Sequence, residues 1–378
     1  MSRIKKILGS LVTVLLFKTY IAFFATILVF LYLANFVVYQ AVLIVFSINE
    51  NSFITIVILG FFSLSFIASI LLGRKRYNFF TRVYSIISMV WMGFFAYFLI
   101  ASFIYIIEFA YIGDSSRHFA LILFGLTTLV GIYGLFHAKK LIIKEVIVGL
   151  PNLSEVWKGR KVVLICDLHI GQINGKNFVE SVVEKLKQIS PDIVLIGGDL
   201  FDGSSAQGVL NCIVPFSSLS IPLGIYFVTG NHEVYGNSDL LLEAVKKAGI
   251  KTLHDEKVVI DGLQIVGVDY KTTTKELDFK NVLINIQIER NIPSILLKHE
   301  PSHIGVAEQA GISMQMSGHT HKAQQWPLEY FAKMAYGRFE NGLNQLGKTQ
   351  VYTTSGVGTW GPPLRVGTDS EIVVFTFK

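Results

Sequence analysis

IVLIGGDLFD, residues 193–202, places four branched apolar residues before a glycine pair and two aspartates, Asp199 and Asp202. A run this short and this rich in β-branched residues reads as a buried strand rather than a helix. The glycines end it and leave both acids just past its carboxyl end. The same arrangement recurs on either side. KVVLIC (161–166) runs into Asp167, Leu168 and His169, and GIYFVTG (224–230) runs into Asn231, His232 and Glu233. Between the first two strands, residues 176–189 set Val179, Val182, Val183, Leu186 and Ile189 on one helical face ahead of Pro191. After the third, Ser238 can cap a helix that turns Leu241, Ala244, Val245 and Ala248 inward and stops at Gly249. Strand–helix–strand alternation defines an α/β layered domain. Further strands are expected at 257–261, 263–268, 294–298, 350–354 and 371–377, the later ones antiparallel because short turns separate them.

In open α/β sheets, ligands collect beyond the carboxyl ends of the strands. Two more motifs join the three above: SILLK is followed by His299, and Gly318 by His319, Thr320 and His321. Each motif alone is weak. Asp-x-His at a strand end is a frequent accident, GDLFD and GNHE can be simple turns, and a lone histidine is more often a hydrogen-bonded core residue. Their order and shared position outweigh that reading. All supply oxygen or nitrogen and none supplies a thiolate, since Cys166 precedes the first ligand and faces the other way by strand alternation. With Cys212 it completes the chain's cysteines, which read as buried free thiols in a reducing compartment.

The five blocks D-x-H, G-D-x-x-D, G-N-H-E, H and G-H-x-H over residues 162–321 resemble the calcineurin-like metallophosphoesterase superfamily. The ending GVGTWGPPLRVGTDSEI (356–372) is similar to that of its membrane-associated bacterial members, a branch related to enzymes that split UDP-diacylglucosamine. Two departures, GHTHKAQ for GHTHGGQ and S-E-I for P-E-I, lie outside the metal set and bear on the substrate. The resemblance implies a four-layer fold, two mixed sheets between helices. It assigns one divalent ion to Asp167, His169, Asp199 and His321 and a second to Asp199, Asn231, His299 and His319, with Asp199 bridging. A hydroxide bridging the two ions would attack phosphorus in line, which agrees with the physics of paired ions about 3.5–4 Å apart. The histidine count favours Mn or Fe over Mg, with Zn also compatible. His232, beside a ligand without being one, is expected to give a proton to the leaving oxygen. Asp202 is expected to orient the ligand shell and His232, and Glu233 to serve structure. Arg365 has two readings of equal weight, a bidentate phosphate contact or a pairing with a surface carboxylate.

The other half of the chain is different in kind. Of the 378 residues, 52% are hydrophobic and the mean hydropathy is +0.52, too high for an ordinary soluble protein. The apolar residues concentrate before residue 140. Spans are expected at about 19–47, 51–73, 83–112 and 118–138, each near or above the ~20 residues that cross a ~30 Å hydrocarbon core. Residues 2–17, with Lys5 and Lys6 opposite an apolar face, read as an in-plane amphipathic segment; a cleaved signal peptide competes, but no A-x-A site follows. The membrane region thus covers 1–143 and the metallophosphoesterase domain 144–378. Of the chain's 33 basic and 27 acidic residues, 11 basic and three acidic lie in the first 143, so the catalytic half has 22 against 24 and lacks the basic bias of a nucleic-acid binder. Arg74, Lys75, Arg76, Arg82, Lys139 and Lys140 fall on one side of the alternating spans, which places the second half in the cytoplasm of a plasma-membrane protein. Lys18 is the position on which this count turns. Glu108, the one acid within a span, lies near its end and is expected at the interface. Trp326, Tyr330, Phe331 and Tyr336, mixed with Lys322, Lys333 and Arg338, suit either a dip into head groups or a loop capping its own domain.

The expected protein is therefore a membrane-anchored dinuclear phosphohydrolase that cleaves a phosphodiester or pyrophosphate, with a lipid-linked nucleotide as the favoured substrate. Two alternatives stand beside it. One is a hydrolase of a soluble nucleotide or phosphoprotein; the other is a receptor or scaffold that binds without cleaving.

Overall fold

The computed structural model describes residues 25–49, 52–112, 117–204, 206–236 and 238–378. The amphipathic segment expected over residues 2–17 lies outside them. Four helices are long and apolar enough to cross a membrane: α1 from Ala25 to Phe46, α2 Ser52–Lys75, α3 Phe79–Ile112 and α4 Arg117–His137. The chain separates into two compact units, one ending at Ile70 and resuming over Trp91–Leu129, the other made of Leu71–Val90 and Val130–Lys378.

In the first unit, small and branched residues join single aromatic rings at the helix contacts, while many other large apolar residues stay outside. Leu31, Ala34, Val38 and Phe95 form one buried cluster, and Ala41, Val45, Tyr105 and Ala120 another. Asn35 is buried and donates to Leu31 O at 2.8 Å, while Ser69 and Ser102 return their hydroxyls to carbonyls of the preceding turn. Small and self-satisfied polar residues at helix interfaces, with exposed Phe, Leu and Ile around them, suit an apolar solvent.

The second unit contains twelve strands among the described residues. The first sheet runs in the order β1-β12-β2-β3-β4-β5, where β1 is Leu141–Val148, β2 Lys161–Ile165, β3 Ile193–Ile196, β4 Ile225–Phe227, β5 Lys251–Thr252 and β12 Ser370–Phe377. The second runs β10-β11-β9-β8-β7-β6, with β6 Glu256–Ile260, β7 Leu263–Gly267, β8 Ser294–Leu297, β9 Met314–Ser317, β10 Gly342–Leu346 and β11 Thr349–Thr353. Strand alternation decides the layering. Val162, Leu164 and Cys166 meet Ile265, Leu297, Met316 and Tyr352 between the sheets. Val163 and Ile165 face the opposite way, against Val179, Val182 and Leu186 of α5 (Lys176–Ile189). On the far side, Val266 and Leu296 pack on Phe279 and Leu283 of helix Glu276–Ile286. Helix, sheet, sheet, helix is the expected four-layer order.

Two expectations change. The later strands are not mainly antiparallel: β7, β8, β9 and β11 pair in parallel, and only β6–β7, β10–β11 and β12–β2 run antiparallel. The helix between β7 and β8 and a shorter one, Ile304–Ala310, between β8 and β9 provide the crossovers that parallel neighbours need. The second change lies at the edge of the unit. β1 begins at Leu141, before the boundary expected at 144, and Leu71–Val90 belongs to this unit as well. Gln172 Nε2 donates to Gly73 O at 3.1 Å and to Arg76 O at 2.6 Å, and Ser204 Oγ donates to Gly73 O at 3.1 Å. The turn joining α2 and α3 is thereby bonded to the loops that follow β2 and β3.

Candidate metal centre

Every motif picked out at a strand end arrives at one buried cluster. Asp167, His169 and His321 form a group whose ligand-type atoms lie within 4.8 Å of one another; so do His169, Asp199 and His232, and so do Asp199, His299 and His319. Asp199 is common to the last two. His169 Nε2 and His321 Nε2 are 3.0 Å apart, and His319 Nδ1 and His299 Nε2 3.2 Å. Asn231 Oδ1 sits 3.0 Å from His319 Nδ1 and 3.1 Å from His299 Nε2, and Asp199 Oδ2 is 3.2 Å from His299 Nε2.

The backbone makes this convergence possible at a cost. Asp167, His169, Asp199, His319 and His321 all have φ between 47° and 72°, in the left-handed region. For non-glycine residues such conformations cost on the order of 1–3 kcal/mol each and concentrate at functional sites. Glycine serves here by its smallness. A Cβ on Gly230 would strike the Asp199 carboxylate, and one on Gly318 would strike Asp167. Glu233 braces the middle of the site: its buried carboxylate accepts from Asp199 N at 3.0 Å, Phe201 N at 3.0 Å and Gly230 N at 2.7 Å. His232 N donates to Asp199 Oδ1 at 2.9 Å, and His319 N to Asp167 Oδ2 at 3.0 Å. His299 Nδ1 donates to Gly197 O at 2.9 Å, which fixes the ring's orientation and turns Nε2 into the cluster.

Charge is distributed unevenly. Burial opposes ionisation of Asp199, yet the neighbouring His299, His232 and His169 rings outweigh it and hold the carboxyl well below the usual range. Burial lifts Asp167 to about 6 despite His299, and burial with the Asp199 charge lifts Glu233 to about 7. Burial would neutralise His299, but Asp199 carries it up to about 9. Burial and then His299 bring His319 down to about 4; burial and then His169 push His321 well below its ordinary value. His232 is lowered by burial and by His169.

A pair of divalent cations fits this donor set. Ring nitrogens face one another at contact distance, His169 with His321 and His299 with His319, and His169 Nδ1, His232 Nδ1 and His321 Nδ1 are buried with no hydrogen bond. Carboxylates and imidazoles converging without sulfur are the donors that first-row divalent ions prefer.

The other residues singled out in the sequence fall as follows. Asp202 Oδ1 lies 3.3 Å from His232 Nδ1 and 3.6 Å from His169 Nδ1, half-buried at the edge of the cluster. Arg365 meets neither expected partner. It is fully buried, and its guanidinium donates to Ser355 O, Gly358 O and Thr368 Oγ1 at 2.7, 2.6 and 2.9 Å. A group so enclosed by carbonyls is closed to a phosphate; it shapes the loop 355–368. That loop lies along the end of β2, with Val357 N donating to Cys166 O and Gly358 N to Asp167 O. It brings Trp360, which motif reading passed over, to a ring-centroid distance of 6.0 Å from His232. Tyr235, Tyr270 and Tyr336 stand similarly by His232, His299 and His319. Tyr336 stands out in the sequence only as part of the aromatic and basic group 326–338; Tyr235 and Tyr270 have no spacing that marks them, and only the glycine-rich GTWGPP context sets Trp360 apart.

A cluster of this kind at the carboxyl ends of the strands of a four-layer fold defines a metallophosphoesterase. A family model described as calcineurin-like phosphoesterase matches residues 160–323. A Helicobacter pylori (strain J99) protein described as an uncharacterized metallophosphoesterase is 34% identical over 233 residues, 61% of this chain and 62% of that protein. A Danio rerio protein described as a transmembrane protein with metallophosphoesterase domain is 29% identical over 271 residues, 67% of this chain and 61% of its own length. An Aquifex aeolicus (strain VF5) metallophosphoesterase is 31% identical over 240 residues, 61% of this chain and 87% of that protein. This chain therefore belongs to the calcineurin-like metallophosphoesterases, and it spans somewhat under two thirds of the length of the Helicobacter and Danio relatives.

Proposed function

We propose that this membrane protein is a phosphohydrolase that uses two divalent metal ions to cleave a phosphodiester or pyrophosphate, with a lipid-linked nucleotide as its substrate. The observation that carries the proposal is the position of Asp199, one carboxylate shared by two imidazole groups. One ion is assigned to Asp167, His169, Asp199 and His321, the other to Asp199, Asn231, His299 and His319. When bound, such ions acidify a water and neutralise phosphoryl oxygens, and manganese is favoured by the number of histidines. His232 Nδ1 faces Asp202, so Nε2 is the nitrogen left to hold a proton for the departing oxygen. Asp202 acts as a positioning residue for that ring. Trp360, Tyr235, Tyr270 and Tyr336 offer aromatic faces to a base or an acyl chain. The four apolar helices favour a substrate found at the membrane, and we place the catalytic unit on the cytoplasmic side of the plasma membrane.

The test uses the full chain in detergent, loaded with Mn²⁺, assayed for metal content and for hydrolysis of an aryl phosphodiester and an aryl phosphomonoester. Two ions per chain and preferential diester cleavage are expected. Asp199→Asn should lose bound metal and activity together, while His232→Ala should keep both ions and slow by about 10²–10⁴-fold. Preference for the monoester would reject the diester or pyrophosphate assignment. Two bound ions without turnover of either compound would favour the binding-only alternative.

A further inference from the structure

We infer that the segment Trp326–Tyr336 is a membrane contact of the catalytic unit, seated on the lipid interface beside the end of α4. The observation behind it is a helix whose amphipathicity is inverted. Glu329–Tyr336 has no buried residue. Its partly covered side carries Ala332 and Tyr336, the latter donating its hydroxyl to Glu300 Oε1 at 2.9 Å. Its outer side carries the larger apolar groups: Tyr330 is 60% exposed, Phe331 68% and Met334 82%, with Trp326 at 54% just before the helix. Tyr330 and Phe331 each lie about one helical turn from Met334, so the three make a single patch. Eight residues form too short a helix to hold by propensity in water, and an apolar outer face adds a cost that only a covering surface removes.

The occupant follows from what the segment is bonded to. Trp326 N donates to Val366 O at 2.8 Å, Val366 N to Gln324 O at 2.9 Å, and Arg365 N to Gly134 O at 3.1 Å. Gly134 lies in the last turn but one of α4, and a side chain there would strike Leu364. The same stretch of α4 exposes Tyr133 and Phe136, and Lys139 and Lys140 follow it. Trp326 is thus held two short backbone links from a membrane helix near its end, the depth at which aromatic side chains favour the interface. Lys333 and Arg338 beside the patch, like Lys139 and Lys140, suit anionic head groups. A lipid surface matches this mixture of aromatic, apolar and basic groups. The contact depends on the four apolar helices spanning a bilayer and is independent of the chemistry at the metal centre. Its far end matters to that centre nonetheless, because Tyr336 closes the helix beside His319.

Cys166 and Cys212 are buried, so a single introduced cysteine can be labelled selectively. The experiment places an environment-sensitive nitrobenzoxadiazole on Met334→Cys, or on Lys247→Cys as an exposed control, in the full chain reconstituted into phosphatidylcholine–phosphatidylglycerol liposomes. Relative to the control, the label at 334 should emit at shorter wavelength, lose severalfold of its quenching by aqueous iodide, and be quenched by doxyl-labelled lipid. Adding Phe331→Asp to Met334→Cys should reverse these changes while metal content and hydrolysis of a water-soluble aryl phosphoester stay as before. Iodide access equal to that at position 247 would overturn the inference. So would protection that is indifferent to doxyl lipid and persists in detergent, because the patch would then be covered by protein, such as a second copy.

Discussion

At the scale of single residues, the centre combines conformations that are individually unfavourable. Five ligand-type residues sit at positive φ; aspartate and histidine enter that region several-fold more often than most residues, yet so rarely in absolute terms that their identities alone do not announce it. Motif order disclosed which residues converge, because donor atoms at successive strand ends have few other uses. It disclosed little about support. Arg365 illustrates the limit: an arginine near a metal motif suggests a phosphate, but whether its guanidinium meets solvent or carbonyls depends on the path of a loop. Glu233 is the support with the clearest consequence. Glu233→Ala would leave the N–H groups of Asp199, Phe201 and Gly230 buried without an acceptor. Unmet buried donors cost about 1–3 kcal/mol each. A fall in Tm on the order of 10 °C is therefore expected in the metal-free protein. Thermal unfolding followed by circular dichroism checks it, and an unchanged Tm would mean that water or a shifted backbone replaces the carboxylate.

At the scale of elements, periodicity performed well where both faces of a strand are buried and poorly elsewhere. β2, β3 and β4 are continuous apolar runs and stood out. β9, Met314–Ser317, did not, for MQMS has no β-branched residue and earns its place by pairing between β8 and β11. Strand direction was misread because short connections were counted without the helices they contain. The α2–α3 turn was equally hidden: a basic link between two greasy segments reads as a topology signal, with no hint that Gln172 and Ser204 bond to its carbonyls. Those bonds lead to a prediction. Gln172→Ala with Ser204→Ala removes three hydrogen bonds whose typical net value is about 1 kcal/mol each. The loops carrying Asp167, His169 and Asp199 should loosen, and chelators should strip metal up to about a hundredfold faster. Metal release in EDTA, followed over time in the full chain, measures it; an unchanged rate would make the turn a bystander.

At the scale of the whole molecule, hydropathy separated four apolar helices from the α/β domain that follows them, but the compact units of the chain do not follow a single cut. Leu71–Val90 belongs with the catalytic unit, which therefore holds the end of α2, the start of α3 and the end of α4. With all four helices crossing a bilayer, these three ends would share one side of it. With Arg74, Lys75, Arg76, Arg82, Lys139 and Lys140 among them, that side is expected to be the cytoplasm. Protease added to inside-out vesicles should digest the catalytic unit, and protease added to right-side-out vesicles should spare it. The opposite pattern would reverse the orientation and move the substrate with it.

The place of β12 has a consequence for biosynthesis. This strand separates β1 from β2, and among the described residues β1 pairs with no other strand. A ribosome delivers residues in order, so β1 emerges directly behind α4 and waits for Ser370–Phe377 before it has a neighbour. At about 5–20 residues per second the wait is on the order of ten to forty seconds. By then the loops that carry Asp167, Asp199 and His319 are already made but stand on an incomplete sheet. The last of the twelve described strands to leave the ribosome is the one that joins β1 to the rest of its sheet.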